Sequence, residues 1–401
     1  MQQIKTKQFL LVLVLTLILL FYVSFTQNQE IETLSSVNYK SVEEPKRKPT
    51  KSASLKLKPK NVTKKLKRIL YWNDYYGSRN FGFCCGRNPY LKYYCENTNC
   101  FTSKDRTGDL SSFDAIVFHG RSLNINDIPK KRYPHQLYVF LTIESAAYPG
   151  IGNFSVWEDF FNITMTYRLD SDVPLLYGSI ERNKHIKKIL PVKTKQKKQF
   201  IKQKKHLIAW LVSNCHTQSK RELLIEDLRQ YLPADSIHIY GKCGNKRCSR
   251  DSPDARDDCW SMLEKDYKFY LALENSICPD YVTEKMFEAL KHDIVPVVLG
   301  GADYKSIFPP QSFISMMDFR NMSSLAQLLI KLDQDDNLYS QYLTWKTQYT
   351  VNNSKEDFNQ AHCRLCQLLH EYEDESKRKV VKNLKDWFLD KKPCWSHSSL
   401  L

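Results

Sequence analysis

The chain has 401 residues, 42% hydrophobic and 26% charged, proportions of a globular protein long enough for two domains. With a mean hydropathy of −0.50 they exclude both a wholly disordered chain and a multi-spanning transporter. The formal net charge of +16 points to nucleic acid only until it is located: residues 40–68 and 184–205 carry +10 each and leave −4 for the remainder. The folded body is therefore close to neutral, and no nucleic-acid partner is expected.

Residues 1–8 form a short tail with Lys5 and Lys7, and residues 9–25 (FLLVLVLTLILLFYVSF) are an uncharged run of 17. That run is longer than the apolar core of a secretory signal, and Tyr22, Phe25 and Gln27 occupy positions where a cleavage site needs small residues. It reads as a signal-anchor, a single membrane helix whose basic N-terminal flank stays in the cytoplasm, giving a type II topology with a lumenal body. A short span suits the thinner membranes of the early secretory pathway. Residues 26–66 are basic and Pro-containing with few large apolar side chains, and read as an extended stem.

Beyond the stem, β-branched and aromatic runs at 69–72, 115–119, 136–143 and 165–168 predict buried strands. A second series follows at 206–213, 237–240, 269–273 and 294–299, with helical patterns at 221–232 and 283–291. Helices are also predicted at 323–333, 357–373 and 379–390. Strand–helix alternation in both halves predicts an α/β protein of two doubly wound domains. The boundaries expected are 67–190, a basic linker or insertion at 191–205, a second domain at 206–375 and a terminal helix and tail at 376–401.

Two further patterns agree with a lumenal body. Sequons occur at Asn61, Asn153, Asn162, Asn321 and Asn352. The cysteines number twelve, an even count that favours disulfides in an oxidising compartment: Cys84, Cys85, Cys95, Cys100, Cys215, Cys243, Cys248, Cys259, Cys278, Cys363, Cys366 and Cys394. Their connectivity is not readable from spacing. A zinc reading of Cys363-x-x-Cys366 lacks a second ligand pair.

The richest stretch is 270–304, YLALENSICPDYVTEKMFEALKHDIVPVVLGGADY, which combines strand, turn, helix, strand and a Gly-Gly turn. Thr283 is placed as a helix N-cap with Glu284 and Lys285 in the first turn. A lysine there opposes the helix dipole unless a polyanionic ligand uses both.

LENSxxxDYVTEK followed by VPVVLGG resembles the signature of the alpha-1,3-fucosyltransferases, Golgi enzymes that use GDP-fucose. The resemblance continues in YVFLTIES (138–145), FNITMTYRLDSDVPLLYG (161–178), WLVSN (210–214) with Arg221 beyond it, and CRLC (363–366). It covers about residues 69–390. It implies the GT-B fold of two Rossmann-like domains, acceptor half first and donor half second, behind a membrane anchor and stem. The implied reaction is inverting transfer of L-fucose from GDP-β-L-fucose to N-acetylglucosamine of N-glycan or glycolipid acceptors. By the same resemblance Glu144 matches the general base, while Arg221 and Lys285 match cations on the donor phosphates. Tyr281 and Glu284 match donor-site positions, and Tyr177, Ser213, Asn214, Tyr270 and Asn275 match further donor contacts. Asp170-Ser-Asp172 belongs to the TYRxDSD stretch rather than to a metal motif, so no metal site or tightly bound cofactor is expected, and Mn2+ is at most a stimulator. Two alternatives stay open at this point: another nucleotide sugar on the same fold, or a silent lumenal protein that binds glycans or anions.

Overall fold

The computed structural model of the chain describes residues 65–183, 195–248, 255–352, 354–372 and 378–395. The expected membrane span, nearly all of the stem, Asn61 and the first half of the basic segment lie outside them. Among the described residues no helix is long and apolar enough to cross a membrane.

Each half is built on five parallel strands. In the first, β1 (Lys67–Tyr71), β2 (Cys100–Ser103), β3 (Ala115–His119), β4 (Leu137–Thr142) and β5 (Ile163–Thr166) lie in the order β2-β1-β3-β4-β5. The chain then forms β6 (Ser179–Arg182), which pairs antiparallel with β12 (Tyr349–Asn352) in a separate ribbon. In the second half β7 (His206–Leu211), β8 (Ile237–Tyr240), β9 (Tyr267–Leu273), β10 (Val295–Leu299) and β11 (Ile314–Ser315) lie in the order β11-β10-β9-β7-β8. Counted from its own first strand, each sheet has the doubly wound order 2-1-3-4-5. Each therefore has a topological switch point, between β1 and β3 and between β7 and β9, where a crevice opens at the carboxyl ends of the strands.

The strands read as near-continuous apolar runs because both faces are covered. On β9, Leu271 and Leu273 point to one side with Trp210, Val295 and Val297. Tyr270 and Ala272 point to the other with Ala209 and Val298. Helices close the two faces: α7 (Met322–Gln334) packs Leu325 and Leu329 on the first, and α5 (Glu284–Lys291) packs Met286 and Phe287 on the second. The remaining helices are α1 (Asn88–Lys92), α2 (Lys195–Lys202), α3 (Arg221–Arg229), α4 (Ala255–Asp266), α6 (Tyr304–Ile307), α8 (Asp336–Gln341) and α9 (Ser354–Glu371).

The N-terminal sheet is completed by the end of the chain. One face, with Ile69, Tyr71, Val117 and Val139, packs against Ala361, Leu365 and Leu369 of α9. The bonds Cys95–Cys363 and Cys100–Cys366 fasten that helix to the N-terminal half. The expected boundary at 375 is corrected accordingly: α9 serves the first sheet although it follows the second in sequence. The opposite face, with Leu70, Phe118, Tyr138 and Phe140, is covered by Phe154, Trp157 and Phe161 together with Leu384 and Phe388. The helix expected over 379–390 is shortened to residues 384–390, whose Leu384 and Phe388, four residues apart on one face, enter that aromatic core. From there the chain crosses to the second half, where Cys394 bonds Cys278 and Trp395 pairs with Ile277.

All twelve cysteines are paired; the other three bonds are Cys84–Cys85, Cys215–Cys243 and Cys248–Cys259. The described part of the basic segment is not a solvated linker. It forms α2, its Ile201 enters the C-terminal core, and buried Lys204 donates to the carbonyls of Glu264 and Tyr267.

Candidate active site

The residues singled out by chemistry stand at the C-terminal switch point and, in the N-terminal half, one strand beyond it. In the C-terminal half, the loop after β7 and the end of β9 are bridged by Arg221, the first residue of α3. Its guanidinium donates to the carbonyl of Leu273 from Nη1 and to that of Asn214 from Nη2 at 3.1 Å. Only 3% of Arg221 is exposed, and its buried Nε has no hydrogen-bond partner among the described residues. Burial pulls its pKa below the ordinary arginine value, with Glu274 opposing. The Cys215–Cys243 bond anchors the loop that carries Ser213 and Asn214, both exposed.

One strand-end residue further, Glu274 is fully buried. Its Oε1 accepts from Thr283 N at 2.8 Å, and Thr283 Oγ1 lies 2.8 Å from its Oε2. Lys285 Nζ is 3.4 Å from that Oε2, 2.8 Å from Thr283 Oγ1 and 3.1 Å from Glu284 Oε1. Burial works against the Lys285 charge, but Glu274 and Glu284 outweigh it and hold its pKa above the ordinary lysine value. Burial raises the Glu274 carboxyl, with Lys285 opposing. Thr283 occupies the N-cap position of α5 as expected, yet its hydroxyl faces Glu274 and makes no cap bond. The α5 N-terminus and Lys285 thus stand beside Arg221, two cations and a set of helix amides suited to phosphate oxygens.

In the N-terminal half, Asn73 bridges the switch point by donating to the carbonyls of His119 (3.0 Å) and Ser122 (2.8 Å) and accepting from His119 N (2.7 Å). Glu144 projects from the loop after β4. Its Oε1 accepts from Tyr76 OH at 2.6 Å and Arg121 Nη1 at 3.1 Å.

The two halves meet between these sites. Ser145 Oγ and Ser276 Oγ are 2.7 Å apart, both buried. Tyr281 from the second half stacks edge-on against Tyr167 at 4.9 Å and Tyr177 at 6.2 Å, and Tyr177 OH donates to the carbonyl of Ile143. The Tyr177 phenol is raised first by burial and then by Tyr281, Glu284 and Glu144, so it lies within electrostatic reach of both sites.

The structure therefore brings Glu144, Tyr177, Tyr281, Glu284, Lys285, Arg221, Asn214 and Asn275 to the region where the two halves meet, with Ser213 beside Asn214 on the exposed loop after β7. Asn275 contributes its carbonyl to Ser219 N at 3.1 Å. Tyr270 is as buried as Tyr281 and packs on Trp260 at 4.8 Å, within electrostatic reach of Glu284 and Arg221. Asp170 is bonded to Arg168 and Asp172 to Thr164 and Lys379, so the DSD carboxylates are committed to structural partners. Among the described residues one cluster has metal-ligand composition, Cys100, Cys366 and His370, and its two sulfurs form a disulfide.

Among the sequons, Asn162 is corrected. It is buried, with Nδ2 donating to Lys379 O at 2.9 Å and Oδ1 accepting from Tyr138 N at 2.9 Å, so it cannot carry a glycan in this fold. Asn153 and Asn321 are exposed, each capping a helix, while Asn352 is half-buried in β12 and donates to Ser179 and Glu181. Three site residues escape sequence reading: Tyr76, Arg121 and Glu274. Glu274 offered a signal, an acid at the end of an apolar strand, whereas the loop holding Tyr76 carries no motif.

The model of "Fucosyltransferase, N-terminal" matches residues 64–178, and that of "Glycosyltransferase family 10 (fucosyltransferase) C-term" matches residues 201–387. The chain belongs to glycosyltransferase family 10, the fucosyltransferases. It is 36% identical over 316 residues to alpha-(1,3)-fucosyltransferase C of Drosophila melanogaster, covering 74% of this chain and 70% of that one. It is 31% identical over 300 residues to alpha-(1,3)-fucosyltransferase fut-5 of Caenorhabditis elegans, covering 73% and 75% respectively. A crystal structure of an alpha1,3-fucosyltransferase with GDP-fucose aligns with a TM-score of 0.46 and 16% identity, over 74% of this chain and 84% of that chain.

Proposed function

We propose that the protein is an inverting GT-B transferase that moves L-fucose from GDP-β-L-fucose in α1,3 linkage to N-acetylglucosamine of glycoprotein or glycolipid glycans. The observation that supports this reading is that Glu144, beyond a strand end of the N-terminal half, and Arg221 with Lys285, at strand ends of the C-terminal half, lie where the two halves meet. The acceptor hydroxyl gives its proton to Glu144 as its oxygen attacks the fucose C1. The bond from C1 to the β-phosphate oxygen breaks, and GDP leaves with the electron pair. Its developing charge falls to Arg221, Lys285 and the α5 amides, which need no reorganisation to meet it. Because both cations belong to the protein, transfer proceeds without a dedicated metal site. Residues 9–25 anchor the enzyme in the Golgi membrane as a single-pass type II protein, with the catalytic body in the lumen.

The test uses the full-length chain in detergent with a panel of nucleotide sugars, N-glycan and glycolipid acceptors, and NMR assignment of the product linkage. GDP-fucose alone should support transfer, with an α1,3 product and activity retained in EDTA. Turnover of another donor in its place sinks the reading. Glu144→Gln should abolish transfer while GDP binding persists.

A further inference from the structure

Glu144 is held unevenly. Tyr76 and Arg121 both donate to Oε1, while Oε2 has no hydrogen bond among the described residues. A carboxylate at the end of a glutamate rotates over a broad torsional well, so a single hydrogen bond leaves its second oxygen free to wander. Two donors converging on one oxygen fix the carboxylate plane and leave the other oxygen's lone pairs for an incoming hydroxyl.

Tyr76 is placed at some cost to do this. Its φ is +48° and that of Gly77 is +82°, in a tight turn closed by Tyr75 N to Ser78 O at 2.9 Å and Ser78 N to Tyr75 O at 3.1 Å. The left-handed region suits glycine and asparagine, and a bulky aromatic residue there is a genuine outlier whose strain points to a role. The side chain uses the position: its ring packs 4.9 Å from the His119 ring, and its hydroxyl reaches Glu144. Burial first, then Glu144, push the Tyr76 phenol above its ordinary range, so it remains a donor and does not compete for the acceptor's proton.

We propose that Tyr76, together with Arg121, is a positioning residue that locks Oε1 of Glu144 and presents Oε2 as the atom that takes the acceptor hydroxyl's proton. The assignment rests on Glu144 being the base. After the transfer Oε2 carries the proton and Oε1 still accepts from Tyr76 and Arg121, so the neutral acid is held as well.

The full-length chain in detergent, assayed with GDP-fucose and a glycan acceptor, tests this. Tyr76→Phe should lower kcat roughly 10-fold or more, as expected for a misaligned reacting group, and leave the GDP-fucose KM unchanged. Tyr76→Asn relieves the turn; it should keep or raise Tm and lose at least as much kcat, which a purely structural role would not produce. In a Glu144→Asp background, whose shorter side chain is beyond the phenol's reach, Tyr76→Phe should change kcat less than about 2-fold. Full kcat in both single variants, or an undiminished Tyr76→Phe penalty in the Glu144→Asp background, overturns the positioning role. If Glu144→Gln keeps full turnover, the base assignment fails as well; if it is inactive while Tyr76→Phe and Tyr76→Asn are unimpaired, only the role of Tyr76 fails.

Discussion

The hydroxyls of Ser145 and Ser276 lie 2.7 Å apart, joining the residue after Glu144 to the loop that follows Glu274. The pair is buried and links the working ends of the two sheets. Removing one partner strands the other, which costs about 1–3 kcal/mol, whereas removing both can be nearly neutral. Ser276→Ala should therefore lower the urea midpoint more than Ser145→Ala/Ser276→Ala does. A double variant that is additively worse counts against the bond.

Glu274 and Lys285 divide structural from ligand-facing roles. Lys285→Met leaves a buried carboxylate without its cation and should destabilise the fold by about 3 kcal/mol while weakening GDP binding. Adding Glu274→Gln should recover most of the stability but none of the GDP affinity. Thermal unfolding and GDP titration of the single and double variants separate the two effects. Recovery of GDP binding in the double variant would mean that Lys285 acts only by neutralising Glu274.

Arg221 uses two nitrogens on carbonyls of β9 and of the loop after β7, a geometry that needs a fork. Arg221→Lys preserves the charge and cannot span both. The expected result is a rise of at least 10-fold in the GDP Kd with a drop in stability of about 1–2 kcal/mol from the carbonyl left unpaired. GDP affinity equal to wild type would remove the bridging geometry from the explanation.

Two buried histidines set an acid limit on stability. Burial lowers His119 to about 4, helped by nearby Arg121, and lowers His362 to about 3, helped by Arg364. Both are depressed, so the unfolded chain binds protons below about 6.5 that the native chain refuses. Their contribution is fully present above that value and is lost as pH falls toward 4. The unfolding free energy should fall between pH 6.5 and 5, by at most about 1.4 kcal/mol per pH unit for each histidine. His362→Gln should reduce that slope by one proton's worth. An unchanged slope would place the sensitivity elsewhere.

Eight of the strands were legible as apolar runs because parallel sheets bury both faces. The strands β2, β6, β11 and β12 were not, being short, or partly exposed as in β6 and β12, and so lacking a continuous apolar run. Glu144, Arg221 and Lys285 stood inside recognisable motifs at strand ends and helix starts. Tyr76 and Arg121 did not, because their contribution depends on a turn and a neighbouring strand converging on one carboxylate. The amphipathic pattern of α9 announced a helix, but nothing in it says which of two sheets that helix covers; the pairing of Cys363 and Cys366 with Cys95 and Cys100 settles that.

The return of α9 to the first sheet also governs the order in which the protein can be finished. The bonds that fasten it span 268 and 266 residues, so the face of β1 and β3 that α9 covers stays open until almost the whole chain has been synthesised. The C-terminal sheet has its own helices and can close first, leaving the first-made half to be sealed last. Truncation from the C-terminus should thus unfold the N-terminal half before the C-terminal half. Limited proteolysis of a chain ended at residue 352 would reveal this as a protected fragment beginning near residue 200.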